Sequence, residues 1–182
     1  MSNATRLRPE LASPLLAALA LLSALILPYS RTSGSALVQS LAVIVSLAVV
    51  FFSAHPLGHL VVARLMGVHT EYFFVGRSDF RKLPSRTMSA VGGLVPTIGT
   101  KLRRAELVSL PSRRRGYILG AGVLVSNALV GLEVLYVLAS GFAPVPGALA
   151  LAFFAATLAT EALFSTRSGD LAKMMAEFKK DR

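Results

Sequence analysis

Four long apolar stretches constrain the fold of this chain more than any other feature of its sequence. They cover residues 11–28, 36–66, 116–140 and 144–165. A helix that crosses a bilayer needs about 20 consecutive apolar residues, and each stretch is that long or nearly so. The sequence therefore predicts an all-α polytopic membrane protein, a single membrane domain over residues 1–182 with about four transmembrane helices.

The composition favours the same class of protein. Apolar residues make up 54% of the 182-residue chain and charged residues only 15%, whereas about 25% of a soluble globular chain is charged. An apolar content this high excludes an intrinsically disordered chain. The chain has no cysteine, which excludes a disulfide scaffold and any Cys-ligated zinc or iron–sulfur site.

The basic residues predict the orientation in the membrane. Their excess gives a net charge of +10, and ten of them lie in the loop of residues 67–115, with others in the tail of residues 166–182 and near the N-terminus. Such residues mark the cytoplasmic side, so we expect a multi-pass integral protein whose termini and basic loop are cytoplasmic. Lipid bilayer is the expected partner, with anionic lipids at the basic loop. Because topology accounts for the charge, nucleic acid is not expected.

Two segments outside the spans show patterns of their own. Thr70–Val75 is rich in β-forming residues and is predicted to be a short strand or an interfacial element. The Gly-rich run Val91–Gly99 fits a second strand or a re-entrant segment. In the tail, four apolar residues at helical spacing predict an amphipathic helix: Leu171, Met174, Met175 and Phe178.

Two histidines carry the strongest chemical signal. His55 and His59 lie in the second apolar stretch, and on a helix this spacing places both imidazoles on one face, as two ligands of one metal require. By the predicted topology Asp170, just past the fourth span, lies at a similar depth and is a candidate for the third ligand. Glu161 is the alternative ligand. Two imidazoles and a carboxylate suit zinc, and also iron, nickel or cobalt; a pair of packing histidines is the alternative without a metal.

Other polar groups are less closely associated with this pair. Glu133 lies well inside the third span and is expected to be a helix-contact residue. His69 lies ten residues beyond His59, outside the apolar stretch.

The surroundings of the histidines resemble those of a known family. His55–Val68 reads H-P-L-G-H-L-V-V-A-R-L-M-G-V, and Phe73–Gly76 reads F-F-V-G. This resembles the site-2 proteases, intramembrane zinc metalloproteases with the signature H-E-x-G-H followed by A-R-x-x-G-V and a short strand. Ala121–Asn127 is similar to a later family motif, A-G-P-x-x-N. The resemblance implies zinc as cofactor, His55, His59 and Asp170 as its ligands, and transmembrane helices of substrates or partners.

The chain departs from the signature at one position. Pro56 stands where the family has the glutamate that acts as general base, and proline has no titratable group. The catalytic residue is therefore unknown, and Glu71, Asp79 and Glu161 are candidate substitutes. Proline in a helix also predicts a kink or a restart, at Ser53 or Ala54.

Three functions follow as hypotheses. The first is a zinc-binding relative of the proteases with little or no peptidase activity. The second is an active intramembrane metalloendopeptidase that uses a substitute base. The third is a non-catalytic structural subunit of a membrane complex, in which the histidines bind no metal.

Overall fold

A computed structural model describes residues 5–77, 96–162 and 169–180 of the chain. Over these residues the protein is mostly helical, with one small antiparallel sheet. In chain order the elements are β1 Thr5–Leu7, α1 Pro9–Arg31, α2 Ala36–Leu65, β2 Thr70–Arg77, β3 Pro96–Leu102, α3 Arg104–Ser109, α4 Ser112–Ala139, α5 Pro144–Thr160 and α6 Asp170–Lys179.

Three of the described helices, α1, α2 and α4, are long and apolar enough to cross a membrane. The prediction of a helical membrane protein is confirmed to that extent. The fourth predicted span begins as expected at Pro144, but α5 has only 17 residues, which at 1.5 Å per residue gives about 25 Å. The predicted count of four spans is therefore not confirmed, and residues 163–165 of that span lie outside the described residues.

Helix α2 runs without interruption through Pro56, so the predicted restart at Ser53 or Ala54 is wrong. Pro56 is fully buried, and α2 packs against both α4 and β3. Tertiary packing commonly overrides local helix propensity, and proline is tolerated in transmembrane helices whose neighbours support them. The continuity of α2 keeps His55 and His59 one helical turn apart.

The core lies where α1, α2 and α4 meet. Its buried members come from all three helices and from α5: Leu27, Val43, Leu47, Val50, Ala54, Val130, Val134, Val137 and Ala150. Glu133 of α4 joins the same contact, because its carboxylate lies 3.2 Å from the Ser23 hydroxyl of α1 and 3.0 Å from the Ser46 hydroxyl of α2. Glu133 is thus a helix-contact residue, as expected.

The sheet has the strand order β1-β2-β3, and both pairings are antiparallel. Strand β2 covers the segment predicted as a strand or interfacial element, and β3 contains the end of the run Val91–Gly99, of which residues 91–95 lie outside the described part. Strand β1, with only three residues, was not predicted. Phe73 of β2 is fully buried beside Ala12, Leu16 and Leu60, so the sheet is packed onto α1 and α2.

The pairings give the molecule two distinct ends. The sheet joins the start of α1 to the end of α2 and to the segment before α4; we call this the sheet end. At the opposite end, the Gln39 amide donates to the carbonyl of Ser33 (2.8 Å) and accepts from the amide of Ala143 (3.2 Å). The two short connections therefore lie together, away from the sheet.

The core packing predicts the effect of a cavity. Leu47→Ala should destabilise the protein by about 2 kcal/mol, the low end for buried leucines. The cost is at the low end because a leucine released from the core enters lipid, which is as apolar as the core itself, so little transfer free energy is lost. Leu41→Ala on the same helix is the matched control, since Leu41 is 56% exposed and Leu47 is 0% exposed. Reversible unfolding in detergent measures both variants, and equal losses of stability would contradict the described core.

Candidate metal centre

Two helices bring three potential metal ligands together at the sheet end. His55 and His59 lie on successive turns of α2, with ring centroids 5.2 Å apart. Asp170 is the first residue of α6. Its Oδ2 lies 3.2 Å from His55 Nε2 and 3.1 Å from His59 Nε2, and all three atoms lie within 4.8 Å of one another. The structure thus brings together the three side chains that the sequence predicted as ligands.

A backbone carbonyl fixes the orientation of His59. Its Nδ1 lies 2.8 Å from the carbonyl oxygen of Ile118 on α4, and because a carbonyl only accepts, Nδ1 must carry the proton and donate it. In neutral His59 the lone pair is then on Nε2, which faces Asp170. Metal-binding histidines are commonly held by such a bond from their second nitrogen.

The electrostatics of Asp170 favour its ionised form. Burial raises the pKa of this carboxyl. Hydrogen bonds from His55 and His59 and the charges of His59 and Lys173 lower it by more, so that the pKa lies well below its ordinary value. The second oxygen, Oδ1, accepts from Lys173 Nζ at 3.0 Å. Oδ1 of the carboxylate therefore faces Lys173, and Oδ2 faces the two histidines.

Either a proton on Nε2 or a metal ion must lie between His59 Nε2 and Asp170 Oδ2. The lone pair of neutral His59 Nε2 would face an ionised carboxylate oxygen at 3.1 Å, and two acceptors repel at that distance unless a proton or a metal ion lies between them. Zinc ligands held at about 2.0–2.1 Å in a tetrahedron lie about 3.3 Å from one another, close to the two distances from the histidine nitrogens to Asp170 Oδ2. Two imidazoles and a carboxylate are also a known zinc set with an open fourth position. The residues fit a divalent metal ion such as zinc.

Close contact between α2 and α4 holds the histidines in place. A Cβ atom at Gly122 of α4 would overlap His59 Nε2 and lie 2.9 Å from His55 Nε2. A Cβ at Gly58 of α2 would lie 2.7 Å from the carbonyl oxygen of Ala121. Only glycine at these two positions lets the imidazoles and the facing helix approach this closely.

The remaining candidate residues lie elsewhere. Glu161 follows the last residue of α5 and Glu71 lies exposed on β2; in the ranges that the structure covers, the cluster of converging ligand atoms includes neither. Asp79 lies outside those ranges. His69 pairs with Glu106, with Nδ1 3.0 Å from Oε2. The hydrogen bond from the His69 amide is the main reason that the pKa of Glu106 falls to about 2.

Several residues that shape the site were missed at the level of sequence. Ile118 acts through its carbonyl and Lys173 through its charge, and neither belongs to a recognisable pattern. Thr100 of β3 donates to the carbonyl of Pro56 at 3.2 Å, which ties the sheet to the residue between the two histidines. Gly122 had a signal, since it lies within the Ala121–Asn127 motif, but the motif did not reveal its role.

The glycine contact yields a test of the site geometry. Gly122→Ala should separate the ligands and reduce the zinc retained by the purified protein by about tenfold or more, a usual cost of disturbing groups that orient metal ligands. Gly131→Ala on the same helix is the control, because its Cβ would meet its nearest atom, on Phe154, at 3.4 Å. Zinc retention equal to wild type in both variants would show that the close approach is unimportant.

Comparisons of the chain with protein-family models, with curated proteins and with solved structures found no match. The resemblance to the site-2 proteases therefore rests on the motifs quoted above. What the structure contributes independently is the convergence of His55, His59 and Asp170 at the sheet end of three apolar helices.

Proposed function

We propose that this protein is a zinc-binding, site-2-protease-like membrane protein with little or no peptidase activity. The observation that carries the proposal is the convergence of His55, His59 and Asp170, with Pro56 standing between the two histidines. The first observation supports a metal centre. The second removes the residue on which hydrolysis in that family depends.

The three ligands would hold zinc through His55 Nε2, His59 Nε2 and Asp170 Oδ2. When bound, zinc supplies Lewis-acid chemistry, polarising an oxygen that coordinates it. The chain's own residues orient the site: the Ile118 carbonyl sets the His59 tautomer, and Lys173 holds the second oxygen of Asp170. The partial burial of the three side chains limits access of water.

Pro56 explains why we expect weak hydrolysis or none. General base catalysis commonly contributes about 10²–10⁴-fold to a rate, and proline cannot accept a proton with its side chain. The backbone carbonyl oxygen of Pro56 accepts a hydrogen bond from the Thr100 hydroxyl. The proposed role is therefore to bind transmembrane helices of substrates or partner proteins without cleaving them.

The charge distribution supports an orientation with the metal centre near the cytoplasm. The basic residues of the described chain are concentrated at the sheet end, on β1, β3, α3 and the start of α4, whereas the two short connections at the opposite end adjoin only Arg31. Positive residues mark the cytoplasmic face. We infer that the sheet and both termini are cytoplasmic, beside anionic lipid headgroups.

Zinc analysis tests the metal centre directly. Purified wild-type protein should carry one equivalent of zinc, and His55→Ala/His59→Ala should lose it because a lone carboxylate is a weak site. His69→Ala, which changes the histidine paired with Glu106, should retain zinc. Elemental mass spectrometry measures all three proteins. A wild type that takes up no zinc would instead favour a structural subunit of a membrane complex.

Restoring the missing glutamate tests the proposed loss of activity. Pro56→Glu should gain cleavage of single-span test substrates in liposomes, by about 10²-fold or more over wild type, because it returns a titratable base beside the ligands. Pro56→Gln is the matched control without a base. Metal-dependent cleavage by the wild type itself would contradict the proposal and favour an active peptidase with Glu71, Asp79 or Glu161 as its base.

A further inference from the structure

The C-terminal helix α6 is attached to α4 through one face. Asp170, Met174 and Phe178 recur every four residues along it, so their side chains lie one above the other on the same side. Asp170 reaches the histidines, and the other two contact α4 further along. Met175, on another face, is 49% exposed.

Two glycines of α4 receive the apolar side chains. A Cβ at Gly120 would overlap the sulfur of Met174 and lie 3.2 Å from its Cγ. A Cβ at Gly116 would lie 2.7 Å from Cδ1 of Phe178, whose ring also makes an edge contact with Tyr117, centroid to centroid 5.3 Å. A side chain at either glycine would displace the Met174 thioether or the Phe178 ring from its place against α4.

An ion pair adds a third attachment. Arg115 Nε donates to Glu177 Oε2 at 2.8 Å, and both side chains are partly buried. Arg115 also donates to the carbonyl of Leu110 at 2.7 Å, which fixes the guanidinium at the start of α4. Attachment at Glu177 and Phe178 therefore holds the far end of α6, two turns from Asp170.

Helix α6 depends on this docking for its own order. It has ten residues, and isolated helices shorter than about 12–15 residues are marginal in water. An α6 that left α4 would therefore lose helical structure as well as contacts. Because Asp170 is its first residue, the position of this ligand is set by the rest of the helix.

We propose that docking of α6 on α4 and metal binding by Asp170 are coupled, with Met174 and Phe178 as positioning residues for the ligand. This inference rests on the proposed zinc centre. Docking presents Asp170 to His55 and His59, and a bound ion in turn fixes the start of α6. Coupling of this kind is reciprocal: whatever docking adds to metal affinity, the metal adds to docking.

The first half of the test measures zinc affinity in the full-length protein, by competition with a chromophoric chelator. Met174→Ser/Phe178→Ser changes no ligand and should weaken zinc binding by about tenfold or more. Met175→Ser is the matched control and should bind like wild type. The melting temperature of the zinc-free double variant should stay near that of zinc-free wild type, since the core of α1, α2 and α4 is untouched.

The second half measures docking. The chain has no cysteine, so Met175→Cys provides one site for a nitroxide spin label on the exposed face of α6. Zinc should decrease the mobile component of its spectrum, and should fail to do so with His55→Ala/His59→Ala. Unchanged affinity in the double variant, or a label insensitive to bound zinc, would overturn the coupling and leave the zinc centre standing. A wild type without zinc affinity would overturn both.

Discussion

The backbone contact between α2 and α4 at Gly58, Ala121 and Gly122 is the constraint on which the site depends. A side chain at Gly58 would meet the carbonyl of Ala121, and one at Gly122 would occupy the space of both imidazole edges. Because the helices approach this closely, the Ile118 carbonyl of α4 reaches His59 Nδ1. The contact thus sets both the distance between the helices and the direction in which the ligand nitrogens point.

The other elements close around that contact. The sheet packs on α1 and α2 through Phe73 and hydrogen-bonds to Pro56 through Thr100. Helix α6 packs on Gly116 and Gly120 of α4. The same helix, α4, therefore contacts the histidines and also holds the helix that begins with Asp170. Glu133 and the serines of α1 and α2 join the three long helices closer to their middle. The candidate metal centre at one end is thereby held by contacts along α4.

Local patterns allowed part of this arrangement to be predicted. The placement of His55 and His59 on one helix face, the approach of Asp170 to them and the tail helix could be predicted from periodicity and charge. Strand β1 was missed because three residues carry no periodic signal, and the continuity of α2 through Pro56 was missed because packing outweighs propensity there. The roles of Gly116, Gly120 and Gly122 depend on which helix faces them, which only the tertiary fold reveals.

We propose that His55, His59 and Asp170 together bind one zinc ion. Zinc-edge X-ray absorption of the purified wild type, compared with Asp170→Asn, tests it most directly. We predict a first shell of nitrogen and oxygen at about 2.0–2.2 Å with imidazole scattering from two histidines, and loss of one oxygen ligand or of the metal in the variant. A first shell of water oxygens alone, or a spectrum that the variant leaves unchanged, would contradict the account.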